Sequence, residues 1–300
     1  MTKTQLQDVP LQFIETNGLR LAYRRLGQGP ALILLHGFPQ NHRCWEKVVP
    51  EFAKHFDVLI PDLRGYGASD APFDDSPDHA TYSKRTMAQD IIGLMDRLGL
   101  EQAHILGHDR GARVAYRFAL DHPARIAKLG IIEIVPTGDF WNNWSAELAM
   151  KAYHWTYLAQ PYPLPERMIN ADPKGYINWT FEKWIKQGDV SPFSDWAMDS
   201  YLTQAENPAR IHAMCADYRS GWSFDRALDV ADKNAGRKID CPLMFLWGRS
   251  GFPAQTGDPA SLWADWAHEV NDMSCDSGHF VMEENPKAVT ECFISYFLGD

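Results

Sequence analysis

Along the first 135 residues, short apolar runs alternate with stretches of helical spacing. Phe13-Ile14 and Leu19 to Tyr23 flank Asn17-Gly18, a pair that tolerates positive φ and so predicts an antiparallel hairpin. Ala31 to Leu35 (ALILL), Phe56 to Ile60 (FDVLI), Ala103 to Leu106 and Leu129 to Val135 (LGIIEIV) are short apolar runs. That is the pattern of strands buried on both faces. Met87, Ile91, Leu94, Met95 and Leu98 fall close to helical spacing and predict a helix over Thr86 to Leu98. Strands that alternate with helices pair in parallel through right-handed crossovers.

From about Gly138 to Trp222 the texture changes. Seven of the 11 tryptophans lie here (Trp141, Trp144, Trp155, Trp179, Trp184, Trp196, Trp222), and Pro161, Pro163 and Pro165 punctuate helical stretches. β texture then resumes with Pro242 to Trp247 (PLMFLW). A helix follows from about Pro259 to Glu269, a strand near Val270 to Cys275, and a last amphipathic helix over Pro286 to Leu298. The expectation is an α/β fold with a mostly parallel central sheet flanked by helices. Its core comes in two parts, 1–137 and 226–300, and 138–225 forms an inserted helical cap.

Twenty-nine Lys and Arg against 39 Asp and Glu leave a net charge of −10, the opposite of a nucleic-acid binder's basic footprint. An anionic substrate must therefore be drawn in by local positive charge, against the field of the whole protein. Cys44, Cys215, Cys241, Cys275 and Cys292 are odd in number and show no CxxC spacing, which points to reduced, mostly buried thiols. The start MTKTQLQDVPLQF has no apolar signal core, and no later stretch reaches the ~20 apolar residues of a membrane span. A soluble, cytoplasmic protein is expected, with no membrane or nucleic-acid partner. Neither His nor Cys shows metal-ligand spacing, so no metal and no cofactor is expected.

The chemistry concentrates at strand ends. Gly107-His108-Asp109-Arg110-Gly111-Ala112 follows the AHIL strand and opens a helix, with small residues around one polar side chain. This is the pattern of a nucleophile elbow, here carrying Asp109 where many hydrolases carry Ser. Read alone, Asp109 would be a helix N-cap. His36-Gly37-Phe38-Pro39 and Asp62-Leu63-Arg64-Gly65-Tyr66-Gly67 follow the preceding strands, and the three motifs in this order outweigh any one of them. Phe38 and Arg110 stand where backbone N–H groups of an oxyanion hole belong. A carboxylate attacks saturated carbon bearing a leaving group and gives an ester, which an activated water must then cleave. His279, just past the last strand, is placed to be the base. The strand ending at Trp247 is followed by Gly248-Arg249-Ser250-Gly251 with no carboxylate, and Asp258 lies further along. Glu133, inside LGIIEIV, is costly unless paired and is the acid of choice. Arg110 and Arg113 oppose the macrodipole at the start of the elbow helix. Either each pairs with a nearby acid, or together they grip a substrate carboxylate.

HGFPQ, DLRGYGASD, GHDRGARV, YHWTYLAQPYPLPE, ADYRSG and SGHF together resemble the fluoroacetate (haloacetate) dehalogenases of the α/β-hydrolase superfamily, over nearly the whole chain. The resemblance implies that Asp109 displaces halide from the α-carbon, Arg110 and Arg113 hold the carboxylate, and His279 activates water. It also implies that His154, Trp155 and Tyr218 form the halide pocket, and that the chain is a homodimer. The family's orienting acid is usually Asp, whereas this sequence has Glu133. An epoxide hydrolase would use the same nucleophile, base and acid with a tyrosine such as Tyr153, Tyr157 or Tyr218 as proton donor. A non-catalytic carboxylate-binding receptor would keep the fold and the pocket alone.

Overall fold

A computed structural model describes residues 5–74 and 76–299. Residues 1–4, the opening of the start read above as lacking a signal core, lie outside them, as do 75 and 300. Eight strands form one sheet: β1 (Gln12–Thr16), β2 (Leu19–Gly27), β3 (Ala31–Leu35), β4 (Asp57–Pro61), β5 (Ala103–His108), β6 (Ile126–Ile132), β7 (Leu243–Gly248) and β8 (Val270–Cys275). Their order in space is β1-β2-β4-β3-β5-β6-β7-β8. β1/β2 and β2/β4 are antiparallel, and every pair from β4 to β8 is parallel. This is the α/β-hydrolase fold.

The hairpin closes as the Asn-Gly pair dictates, with φ +46° at Asn17 and +76° at Gly18. Leu32 to Leu35 of β3, Val58 to Ile60 of β4 and most of β5 are fully buried, as continuous apolar runs covered on both faces should be. The helix read over Thr86 to Leu98 spans Lys84–Arg97, and Ser83 caps it by accepting from the Thr86 N–H.

Two differences from the sequence expectation bear on the site. The strand read as Leu129 to Val135 runs Ile126–Ile132 instead, because Glu133 takes φ +64° and turns the chain out of the sheet. Glu133 therefore stands just past the strand end rather than within it. The helix read to Glu269 stops at Ala264, after which β8 pairs alongside β7. Asp258 caps that helix by accepting from the Ser261 N–H, which accounts for it without any catalytic part.

Between β6 and β7 the described residues are helical. The helices are Thr137–Asn142, Ala146–Lys151, Tyr153–Leu158, Leu164–Ile169, Pro173–Trp184, Asp195–Ala205, Pro208–Ser220 and Arg226–Asn234, with a π-turn at Gly221–Asp225. All five cysteines are free and buried. No helix among the described residues is long and apolar enough to cross a membrane.

Candidate active site

β5 delivers Asp109 at its carboxyl end, and the helix Arg110–Asp121 begins at the next residue. Asp109 takes φ +47° and ψ −117°, a strained conformation that a residue with a Cβ adopts only when its surroundings impose it. The imposing contacts are close. A Cβ on Gly111 would overlap the carbonyl oxygens of Leu35 and His36, so β3 and the helix can approach this tightly only over glycine. The Phe38 N–H, at the end of β3, donates to Asp109 Oδ1 at 2.8 Å. Arg110 is the first helical residue, so its N–H is among those a helix leaves without an internal partner.

His279 presents Nε2 to Asp109 Oδ2 and Nδ1 to Glu133 Oε1, each at 3.8 Å. Both ring nitrogens are buried without a hydrogen-bond partner, so the imidazole sits poised between two carboxylates rather than bonded to either. Such contacts tighten when charge develops. The His279 backbone is fixed on both sides: its N–H donates to the Trp184 carbonyl, and its carbonyl lies 2.8 Å from His108 Nε2. Burial, and the neighbouring His108, His154, Lys151 and Arg113, hold the imidazole well below its usual pKa, so it is neutral and able to act as a base.

The acid is cradled by the stretch that looked empty in the sequence. Gly248 and Phe252 donate their N–H groups to Glu133 Oε2 and Oε1, both at 2.7 Å. Burial pushes the Glu133 carboxyl up, and these two donors, with Lys151 beyond them, pull it back toward the ionised form. A Cβ on Gly251 would overlap the Glu133 carboxyl group.

The two arginines part company. Arg110 is fully buried and bound to Asp217, its Nε 3.1 Å from Oδ2 and its Nη2 2.6 Å from Oδ1 and 2.8 Å from the Asp217 carbonyl. Lys84 and Tyr66 also bond Asp217. Burial alone would raise Asp217, but the Arg110 and Lys84 charges hold its carboxyl well below the usual range. Of the two sequence alternatives, pairing with a nearby acid holds for Arg110 through Nε and Nη2, and only Nη1 is left, buried and unpartnered. Among the described residues Arg113 has no acidic partner. Its Nη1 donates to the Val135 carbonyl and Thr137 hydroxyl, its Nε is unpartnered, and its guanidinium lies 4.5 Å from the Trp155 ring centroid.

Asp109, Arg113, Glu133, His154, Trp155, Phe252 and His279 border one small hollow whose open volume is about 10 Å³, near what a single water fills. His154 and Trp155 come from the helix Tyr153–Leu158. Tyr218 stands one layer behind, edge-on to His154 and Trp155 at 5.6 and 5.9 Å, with its hydroxyl buried and unpartnered. His154 Nδ1 is likewise unpartnered, and burial beside the two arginines holds that ring neutral. Sequence reasoning missed Phe252, Lys151 and Asp217. Asp217 stands beside Tyr218 in ADYRSG, and an acid inside a motif already singled out was the available signal.

Comparisons with known proteins show the family and the fold. Residues 30–286 match the model of the alpha/beta hydrolase fold family. A fluoroacetate dehalogenase from Burkholderia sp is 39% identical over 274 residues, covering 91% of this chain and 88% of its own. A soluble epoxide hydrolase from Corynebacterium sp. (strain C12) is 30% identical over 286 residues, covering 94% of each. A crystal structure from Nostoc sp PCC 7120, assigned to the alpha/beta hydrolases, superposes with a TM-score of 0.93 at 40% identity, covering 97% of this chain and 98% of that one.

Proposed function

The chain belongs to the α/β-hydrolase family and is a hydrolase, and on that footing we propose that it cleaves the carbon–halogen bond of haloacetates, fluoroacetate included, to glycolate and halide. One observation carries this reading. A carboxylate occupies the elbow, and around it lie buried donors with no partner of their own: Arg113 Nε, Arg110 Nη1, His154 Nδ1 and the Tyr218 hydroxyl. Buried polar groups without partners are costly, and a small anion that leaves a halide behind would satisfy them.

In this reading Arg113, with Arg110 Nη1, binds the substrate carboxylate and aligns the α-carbon with Asp109. Asp109 Oδ2, the oxygen not held by Phe38, attacks; the C–O bond forms as the carbon–halogen bond breaks, and the halide leaves with its electron pair. His154, Trp155 and Tyr218 donate to the halide as its charge grows, which matters most for fluoride, a poor leaving group. His279 then takes a proton from water, which adds to the ester carbonyl. The Phe38 and Arg110 N–H groups steady the oxyanion and Glu133 steadies the imidazolium; collapse breaks the ester C–O bond, the imidazolium returns its proton to the departing alkoxide to give glycolate, and the Asp109 carboxyl loses its proton to solvent.

Epoxide hydrolysis is the second reading, favoured by the unpartnered Tyr218 hydroxyl as a proton donor; Arg113, with no acid of its own among the described residues, weighs against a neutral substrate. Ion-selective detection of fluoride and chloride from fluoroacetate and chloroacetate tests the proposal. Halide release by the native protein, reduced at least about 1,000-fold in Asp109→Asn, is expected. Halide release that survives in the variant would reject Asp109 as nucleophile, and none from the native protein would reject the substrate class.

A further inference from the structure

Lys151 ends the helix Ala146–Lys151, yet its ammonium does not serve that helix's own carbonyls. It reaches into the β7 loop and donates to the Ser250 and Gly251 carbonyls, both at 2.9 Å. The second of these matters most. The Gly251 carbonyl and the Phe252 N–H belong to one peptide group, and that N–H donates to Glu133 Oε1 at 2.7 Å. Glu133 Oε1 is also the oxygen that faces His279 Nδ1. One rigid peptide plane therefore joins an ammonium on one edge to a carboxylate on the other. A carbonyl that accepts from a cation leaves its own N–H a stronger donor, so the two hydrogen bonds reinforce each other.

We propose that Lys151 is a positioning residue that sets the charge of the triad acid through the Gly251–Phe252 peptide, so that the helical segment over the site controls ester hydrolysis. This rests on the reading of Glu133 as the acid that steadies His279. The bland account is a structural clasp: Lys151 also lies 5.3 Å from the Phe252 ring centroid and would pin the loop by its stem alone. The two accounts differ in what the charge does.

The charged and titratable groups around Glu133 are few enough to fix the sign. Lys151 faces it from the helical segment, His279 and Cys275 from the end of β8, and Glu284 from the helix Val281–Glu284. Lys151 favours the Glu133 carboxylate and the neutral form of His279, whereas Glu284 opposes the Glu133 charge. Removing the ammonium leaves Glu133 easier to protonate and His279 easier to charge. Both changes disable water activation at low pH and are reversed at high pH.

The test uses Lys151→Met, which keeps the stem over Phe252, and Lys151→Arg, which keeps the charge. In the resting protein, nitrogen NMR of the histidine rings follows the protonation of His279. In single turnovers with chloroacetate, chloride release reports ester formation and glycolate release reports its hydrolysis. In Lys151→Met, His279 should protonate at higher pH, chloride release should stay within about twofold, and the acid limb of glycolate release should move up by about one pH unit. Lys151→Arg should restore both. An unmoved His279 titration overturns the proposal, as does an equal slowing of both steps at every pH, which is what a clasp would give. A native protein that releases no chloride would defeat the substrate reading, while the His279 titration would still decide the part played by Lys151.

Discussion

At the scale of single residues, the site is built from groups held in states they would not choose alone. Asp109 carries a backbone strain of about 1–3 kcal/mol, and β3 and the elbow helix clamp it there. Arg110 illustrates how an ambiguous pair resolves. Its two sequence readings, ion pair or substrate grip, are divided between its own nitrogens: Nε and Nη2 go to Asp217, and Nη1 stays open. Asp217→Asn should therefore loosen Arg110 and leave Lys84 short of a counter-charge. The haloacetate KM should rise by about tenfold with a smaller change in kcat, and thermal unfolding should come at lower temperature. An unchanged KM would mean that Arg113 alone binds the carboxylate. The motifs identified Asp109 and His279 because elbow and strand-end residues are local in sequence. The Arg110–Asp217 pair was hidden because Arg110 follows β5 while Asp217 lies in the helix Pro208–Ser220, 107 residues further on, and no spacing rule connects them.

Among the elements, strand runs and the hairpin were legible because burial on both faces writes continuous apolar stretches into the chain. The exceptions are instructive. LGIIEIV reads as one strand to Val135, but nothing in β-branched composition reveals the positive φ at Glu133 that ends β6 three residues sooner. Gly248 to Gly251 looked unable to supply the acid, and it supplies the acid's cradle instead, through backbone groups that a sequence does not display. That cradle depends on the absence of a side chain at Gly251. Gly251→Ala should displace the Glu133 carboxyl group and slow ester hydrolysis by at least about tenfold, with halide release in the first turnover little affected. Burst kinetics separate the two steps, and equal hydrolysis rates in both proteins would show that the Glu133 position is immaterial.

On the scale of the whole molecule, the sheet brings β3, β5, β6 and the β8 end to one edge, and the helical segment between β6 and β7 covers it with His154, Trp155 and Tyr218. On the proposed reading, the net charge of −10 calls for a buried cation beside Asp109, and Arg113, without an acidic partner among the described residues, would meet that need. The central claim is that Asp109 attacks carbon and His279 clears the resulting ester. His279→Asn exposed to chloroacetate or fluoroacetate, digested and measured by mass spectrometry, tests it most directly. The account predicts one carboxymethyl group per chain, located on the peptide that carries Asp109; an unmodified Asp109 in a variant that has released halide would contradict it.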